Sequence, residues 1–446
     1  MRRREFVGKT LIGAAGMTLG ASGLLMTSCK GANDKVVIAL IGSGGRGLPS
    51  VISCCQANTN VEIKTVCDVN DLKSANAANE IEKQLGYKPL ITRHMKEVFD
   101  DKDIDAVWIA TPDHWHALAT IWACQAGKDV YVEKTPNNCI WEGRKMIEAA
   151  EKYKQIVQVG YQNRSAAYTT SARDYIQSGK LGQVVHVRIY NMLKGSKWLA
   201  SPDENIPPTL DWDAWLGPAP DRPYSPGILS GWYYFYAYNV GALNDAGHQI
   251  DIARMIMGDP GHPKSIFGWG GKHIWNSEHD TPEFQSFTYD FEKFTMTCDS
   301  GNATNYMSKT PTDIRMDPNR FPEWKTNSCR IEIYGTLGVM YLGRHGGGWQ
   351  VFGPGEEIVA QSGGIVPDKE HQVNFIESIR KRKPPNANIE QALLSSSLLH
   401  FANIAYRTGN KQLLFDGENE KFIDNDDANK LLKVPYRSNY EVPEKV

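Results

Sequence analysis

From residue 36 to about 160 the chain alternates short apolar, β-branched runs with longer stretches in which apolar positions recur at helical spacing. The runs 36–41, 61–67, 105–110, 129–132 and 156–159 predict strands, and 72–85 and 115–126 predict helices between them. Strands that are apolar on both faces and separated by helices predict a parallel, doubly wound sheet covered on both sides. Beyond residue 160 the pattern changes. The runs 184–192, 284–291, 294–299, 330–334 and 339–342 predict strands with hairpin-like spacing and few helices among them. This half predicts an α+β domain on an open, mostly antiparallel sheet. Residues 201–231, rich in Pro, Trp and Tyr, predict a packed loop over a site. Helical stretches at 369–380 and 390–406 close the second domain. The organisation expected is a segment at 1–29 excluded from the fold, a doubly wound domain at 35–160 and an α+β domain at 161–435.

A length of 446 residues accommodates two domains. A formal net charge of -2 and a pI near 6.6 leave no electrostatic footprint for nucleic acid. The first residues carry a charged region with a twin-arginine look (Arg3, Arg4, Phe6, Lys9), then a weakly apolar, small-residue segment that ends at Leu25-Met26-Thr27-Ser28-Cys29. It resembles a bacterial lipoprotein signal with Cys29 as the lipidated residue. An exported periplasmic or cell-envelope protein is therefore expected, with a short membrane anchor as the lesser alternative. The other seven cysteines are scattered and form no Cys-x-x-Cys pair, so they predict small buried apolar residues and no metal site.

Three constellations carry chemistry. In the first, strand 36–41 runs directly into Gly42-Ser43-Gly44-Gly45-Arg46-Gly47. Gly42 permits the tight turn, Gly44 removes a side chain that would block a pyrophosphate, and Gly47 lets the next helix pack on the strand. The helix N-terminus then offers free N–H groups to the anion. The second strand ends at Asp68, 21 residues past Gly47, where a carboxylate takes a ribose 2′-hydroxyl and repels a 2′-phosphate; NAD is the cofactor expected. The second constellation comprises two predicted strand ends, Thr111-Pro112-Asp113-His114-Trp115-His116 and Glu133-Lys134-Thr135-Pro136. A lysine beside a nicotinamide can stabilise a substrate alkoxide, with Glu133 holding its ammonium in place. The third is a helix starting near Asn244 that carries Asn244 and His248 on one face, with Asp251 and Arg254 a turn later. Histidine is the natural proton acceptor near neutral pH.

Together, the glycine turn, Asp68, Thr111-Pro112 with His116, Glu133-Lys134 and the helix bearing His248 and Asp251 resemble the glucose-fructose oxidoreductase and inositol dehydrogenase (Gfo/Idh/MocA) family over nearly the whole length past the leader. That resemblance implies an N-terminal Rossmann domain and a C-terminal open sheet often used to form oligomers. It also implies hydride transfer at a carbinol of a sugar or cyclitol. Lys134 becomes the expected polarising lysine and His248 the expected acid/base. Many members carry Asp where this chain has Asn244, so an Asp-His relay requires Asp245 to turn inward. Tyr161, Asn163 and Arg164 fall where such enzymes contact nicotinamide and substrate, and Trp198, Trp232 and Tyr236 are candidate sugar-stacking walls. The function expected is an NAD-dependent oxidoreductase on a sugar, glycoside or cyclitol, holding its cofactor tightly because free NAD is scarce outside the cytoplasm. Two alternatives stand beside it. One is a glycosidase that oxidises, eliminates, hydrates and reduces with no net redox change; the other is a non-catalytic carbohydrate-binding lipoprotein.

Overall fold

A computed structural model describes residues 34–195, 201–203, 205–241, 243–275, 278–302 and 304–446; the N-terminal leader with Cys29, and Trp198, lie outside the described residues. The first sheet holds β1 (Val36–Ile41), β2 (Val61–Cys67), β3 (Leu90–Thr92), β4 (Ala106–Ile109), β5 (Asp129–Val132) and β6 (Val157–Val159). Their order is β3-β2-β1-β4-β5-β6, and every pairing is parallel. Strand order reverses direction between β1 and β4, so a crevice opens past their carboxyl ends, the place where such sheets bind ligands. Strand β3 escapes the hydrophobic pattern because it is an edge strand with Leu90 and Ile91 largely exposed.

The second sheet has ten strands. They are β7 (Val184–Met192), β8 (Ser265–Gly271), β9 (Phe284–Asp290), β10 (Thr295–Gly301), β11 (Cys329–Gly335), β12 (Gly338–Gly343), β13 (Trp349–Phe352), β14 (Ile358–Ser362), β15 (Leu413–Asp416) and β16 (Lys421–Phe422). The order is β14-β13-β12-β11-β7-β10-β9-β8-β15-β16, antiparallel throughout except for the parallel β7–β10 pair. Helices Leu243–Ile256 and Ile389–Arg407 bury one face of it, joining Ile250, Ile252, Leu399 and Phe401 to Val187, Ile189, Phe287 and Ile331 in one core. Strand β8 gives no alternation signal because glycines stand at 268, 270 and 271.

Two features depart from a reading by contiguous domains. The helix Asp368–Lys381, expected to close the second domain, packs on the first sheet, burying Phe375, Ile376 and Ile379 against Val36, Ile38 and Trp108. There Trp108 stacks on Tyr131, with ring centroids 3.6 Å apart, and Phe375 meets both rings edge-on. The C-terminal tail also returns to the first domain, where Val442 is buried beside the helix His116–Gln125. The aromatic segment 201–231 is packed as expected: short helices Trp212–Leu216 and Pro226–Gly231 gather Trp212, Trp215, Tyr224, Tyr234 and Tyr238 into a core of their own.

Removing the Phe375 ring leaves a void under the Trp108–Tyr131 stack. Phe375→Ala is expected to cost about 3–5 kcal/mol, read as a lower denaturant midpoint; a midpoint within error of the parent would contradict this packing.

Candidate active site

The turn after β1 has the geometry its glycines require. Gly42 sits at φ +88°, and a Cβ there would lie 2.7 Å from the backbone of Ala110 and Thr111. A Cβ on Gly47 would strike the Gly42 carbonyl oxygen at 2.2 Å, so the helix Gly47–Ala57 packs at its closest approach to the strand. A Cβ on Gly44 or Gly45 would meet nothing within 4 Å, because both glycines face a cavity of about 560 Å³. No side chain caps that helix; Leu48 N donates to the Gly44 carbonyl oxygen at 3.3 Å and Pro49 has no N–H, which leaves the Gly47 N–H of the first turn to an anion. Asp68, at the end of β2, lines the same cavity, and its carboxylate accepts from Ser43 N and Ser43 Oγ at 2.8 Å each. These groups fit a dinucleotide: an open glycine cradle, an uncapped helix and an acid at the ribose end. Ser43 serves the turn through Asp68, and Gly47 serves the packing; neither lines the cavity.

The far end of the cavity is built from three segments. Lys134, just past β5, directs its Nζ onto Asn244 Oδ1 and lies 3.2 Å from the Asn244 carbonyl oxygen. Burial lowers the pKa of Lys134, while Asp245 and Asp113 oppose that shift; a lysine so placed exchanges protons more readily than a surface one. His248, one helical turn from Asn244, lines the cavity and meets the Tyr161 ring edge-on at 6.0 Å. Burial, with the Arg344 and Lys134 charges, holds its pKa well below the usual histidine range, so the ring is neutral near pH 7. His116 staples two loops, its ring nitrogens 2.7 Å from the Thr135 carbonyl oxygen and 2.9 Å from that of Thr111. Thr111, Pro112, Asn163 and Trp232 also line the cavity.

Several expected residues are committed elsewhere. Glu133 does not hold Lys134: it accepts from Arg46 Nε at 2.9 Å, and Arg46 also reaches Asp368 at 3.1 Å. Asp245 does not turn inward. It pairs with Arg344 at 2.6 Å and Lys309 at 3.3 Å, and although burial alone would raise its pKa, these cations and Lys134 hold it well below the usual carboxylate range. Arg164 and Asp251 do not line this cavity. They form a buried ion pair at 2.8 and 2.9 Å, completed by Asp259 and Ser395, because a charge carried into this core must be neutralised in place. Tyr161 lies behind His248 without lining the cavity, and Tyr236 is drawn away under the Arg407 guanidinium. His114 gives its Nε2–H to the Trp215 carbonyl oxygen at 3.0 Å, and burial pushes its pKa down to about 3.

Other lining groups were not singled out from sequence. Asp113 is buried and accepts from Asn239, Asn244 and Thr135; its place in the Thr-Pro-Asp-His motif was the available signal. Arg344 and His345 enter from the turn after β12, which three consecutive positive-φ glycines, Gly346, Gly347 and Gly348, bend into the cavity. That glycine triplet was their signal. Trp215 and Tyr233 come from the aromatic segment.

Fold and cavity together define a two-domain dinucleotide-binding protein whose reactive side chains gather at the carboxyl ends of the parallel strands. Residues 36–161 match the oxidoreductase-family NAD-binding Rossmann fold, and residues 168–266 and 356–442 match the same family's C-terminal alpha/beta domain. The chain belongs to the Gfo/Idh/MocA oxidoreductase family. It is 29% identical over 197 residues to levoglucosan dehydrogenase of Pseudarthrobacter phenanthrenivorans, covering 44% of this chain and 43% of that protein. It is 30% identical over 220 residues to a glycosyl hydrolase family 109 protein of Stenotrophomonas maltophilia, covering 46% of each. The matched segments thus span less than half the length of these curated relatives. The WlbA dehydrogenase of Bordetella pertussis, solved with NADH and UDP-GlcNAcA, shares the fold at a TM-score of 0.60 and 16% identity, over 86% of this chain and 99% of that one.

Gly44→Val is expected to leave thermal stability unchanged and abolish calorimetric NAD binding, since the new side chain meets solvent space where the pyrophosphate would lie. Gly42→Ala, which strikes backbone, is expected to lower the melting temperature as well; the reverse pattern would exclude this cradle.

His248 is expected to show the neutral ring pattern in 15N spectra at about pH 6.5, the ordinary histidine midpoint, and a half-formed imidazolium signal there would contradict its burial. The sign for stability follows from its depressed pKa. The unfolded chain takes up the histidine proton near pH 6.5 and the folded chain only at a lower pH, so the fold loses stability as pH falls below about 6.5.

Proposed function

We propose that the protein is an exported NAD-dependent oxidoreductase acting at a carbinol carbon of a sugar, glycoside or cyclitol. The observation that carries this is the meeting of Lys134, Asn244 and His248 in the same cavity as the open glycine cradle and Asp68. Bound NAD supplies the hydride acceptor. The Lys134 ammonium donates to the substrate oxygen and stabilises the charge that develops on it, and the neutral His248 ring accepts the hydroxyl proton at a ring nitrogen. Asn244, which takes Lys134 Nζ at its Oδ1, orients that ammonium. Trp215, Trp232 and Tyr233 line the cavity and offer apolar faces to a sugar ring. The likeness to levoglucosan dehydrogenase supports a carbohydrate substrate.

A second reading has its own support in the family 109 relative. The same lysine and histidine serve an oxidation that acidifies the neighbouring C–H; elimination then expels the aglycone, water adds to the unsaturated intermediate, and the ketone is reduced back, with no net change in NAD. The twin-arginine and lipoprotein features of residues 1–29 support export after folding and a lipid anchor at Cys29. A second copy of this chain is the partner proposed for the open face of the ten-stranded sheet, where Phe267, Trp269 and Val185 are each about half exposed.

The test is a screen of sugars and glycosides with the purified protein, reading NADH absorbance and sugar products together. Nicotinamide in the denatured supernatant and NADH formed with an oxidised sugar are the expected results. Aglycone release without net NADH would select the glycosidase, and absence of any NAD binding would refute both. Lys134→Ala is expected to lower kcat/KM by about 100-fold or more while NAD still binds.

A further inference from the structure

Asparagine at 244 poses a chemical question, because an amide has two ends and only one suits Lys134. Its oxygen accepts from an ammonium; its nitrogen would repel it. Asp113 decides between them. Its Oδ2 accepts from Asn244 Nδ2 at 2.8 Å, which leaves Asn244 Oδ1 turned to Lys134 Nζ. The same oxygen accepts from Asn239 Nδ2 at 2.6 Å and from Thr135 N at 3.2 Å, so the carboxylate is itself held by the loop that carries Lys134 and by the entry to the His248 helix. Asn239 in turn accepts from Gly241 N at 3.0 Å, tying the carboxylate to the backbone just before that helix.

We propose that Asp113 is the positioning residue that fixes the orientation of the Asn244 amide, and that it supplies through that amide the negative charge that an aspartate at 244 would present to Lys134 directly. The carboxylate has, in effect, moved one hydrogen bond back from the ammonium. With Asp113 replaced by asparagine, two amides face each other. An amide oxygen in the Asp113 Oδ2 position still accepts from Asn244, Asn239 and Thr135, but the negative charge behind the Asn244 amide is gone. Exchanging the two side chains reverses that. The amide oxygen then at position 113 remains for Thr135 N and Asn239, and the carboxylate then at position 244 accepts from Lys134 directly. The charged and titratable groups that bear on Lys134 are Asp245, Asp113, Arg344, Glu133 and His248, with His116 acting on Asp113; the exchange leaves the others in place.

The test is the titration of Lys134 in the whole folded protein, followed by NMR with 13Cε-labelled lysine and assigned by the missing signal in Lys134→Arg. It is compared in wild type, Asp113→Asn and Asp113→Asn/Asn244→Asp, with calorimetric NAD binding as a check on the cofactor end. Expected is a fall in the Lys134 midpoint of about one pH unit or more in Asp113→Asn and a return to the wild-type midpoint or above in the exchanged pair. An unchanged midpoint in folded Asp113→Asn overturns the proposal, and so does a fall that the exchange fails to recover. If Asp113→Asn does not fold, the exchanged pair decides alone: a folded protein with the Lys134 midpoint restored supports the proposal, and an unfolded one overturns it. The proposal draws its catalytic meaning from the oxidoreductase reading, but this titration needs no turnover. A failed substrate screen with the expected titration would count against that reading only. Where a substrate is found, the pH profile of kcat/KM is expected to move with the same variants.

Discussion

Everything at the reacting end of the cavity hangs on one buried carboxylate. Asp113 follows β4, Thr135 follows β5, and Asn239 and Asn244 flank the start of a helix that belongs to the second domain, yet all three donate to the same Asp113 oxygen. Burial raises the pKa of this carboxyl, opposed first by His116 and Lys134 and then by its hydrogen bonds to Thr135 and Asn244. A buried anion tolerates little displacement of its donors, because each lost bond leaves a charge-assisted partner unpaired. The domains are therefore registered to each other at the point where chemistry needs them registered.

The electrostatics of the cavity follow from which partner each charge finds first. Glu133 is drawn to Arg46, which also reaches Asp368, and this locks the glycine turn to the helix Asp368–Lys381. Asp245 is taken by Arg344 and Lys309, which anchors the β12–β13 turn. Lys134 is left with a neutral amide for a direct partner and His248 with an aromatic edge. Burial pushes both of these candidate reactive groups toward neutrality, while the ion pairs around them serve as frame.

Much of this was legible in the chain. The glycines at 42, 44 and 47 declare themselves because a turn, an open approach and a close helix packing each exclude a side chain, and those constraints are local. Lys134 and Asn244 with His248 were legible as types, one at a strand end and the others a helical turn apart. Arg164 and Asp251, expected at the substrate, pair with each other away from the cavity. Sequence shows that they are charged and near the expected site, but not that they face one another across a core that requires them paired. Asp113 was passed over beside the more conspicuous histidines, although His114 proves to be a buried support for Trp215.

By itself, then, the amino-acid sequence determined the two sheet types, the cofactor cradle and the identity of the reactive side chains, because periodicity and backbone sterics act over a few residues. Tertiary structure alone decided which carboxylate serves which cation, sent Phe375 to the first domain's core, and bent Arg344 and His345 into the cavity. Those outcomes depend on distances between segments up to hundreds of residues apart. A charge has no partner until the fold brings one within about 4 Å.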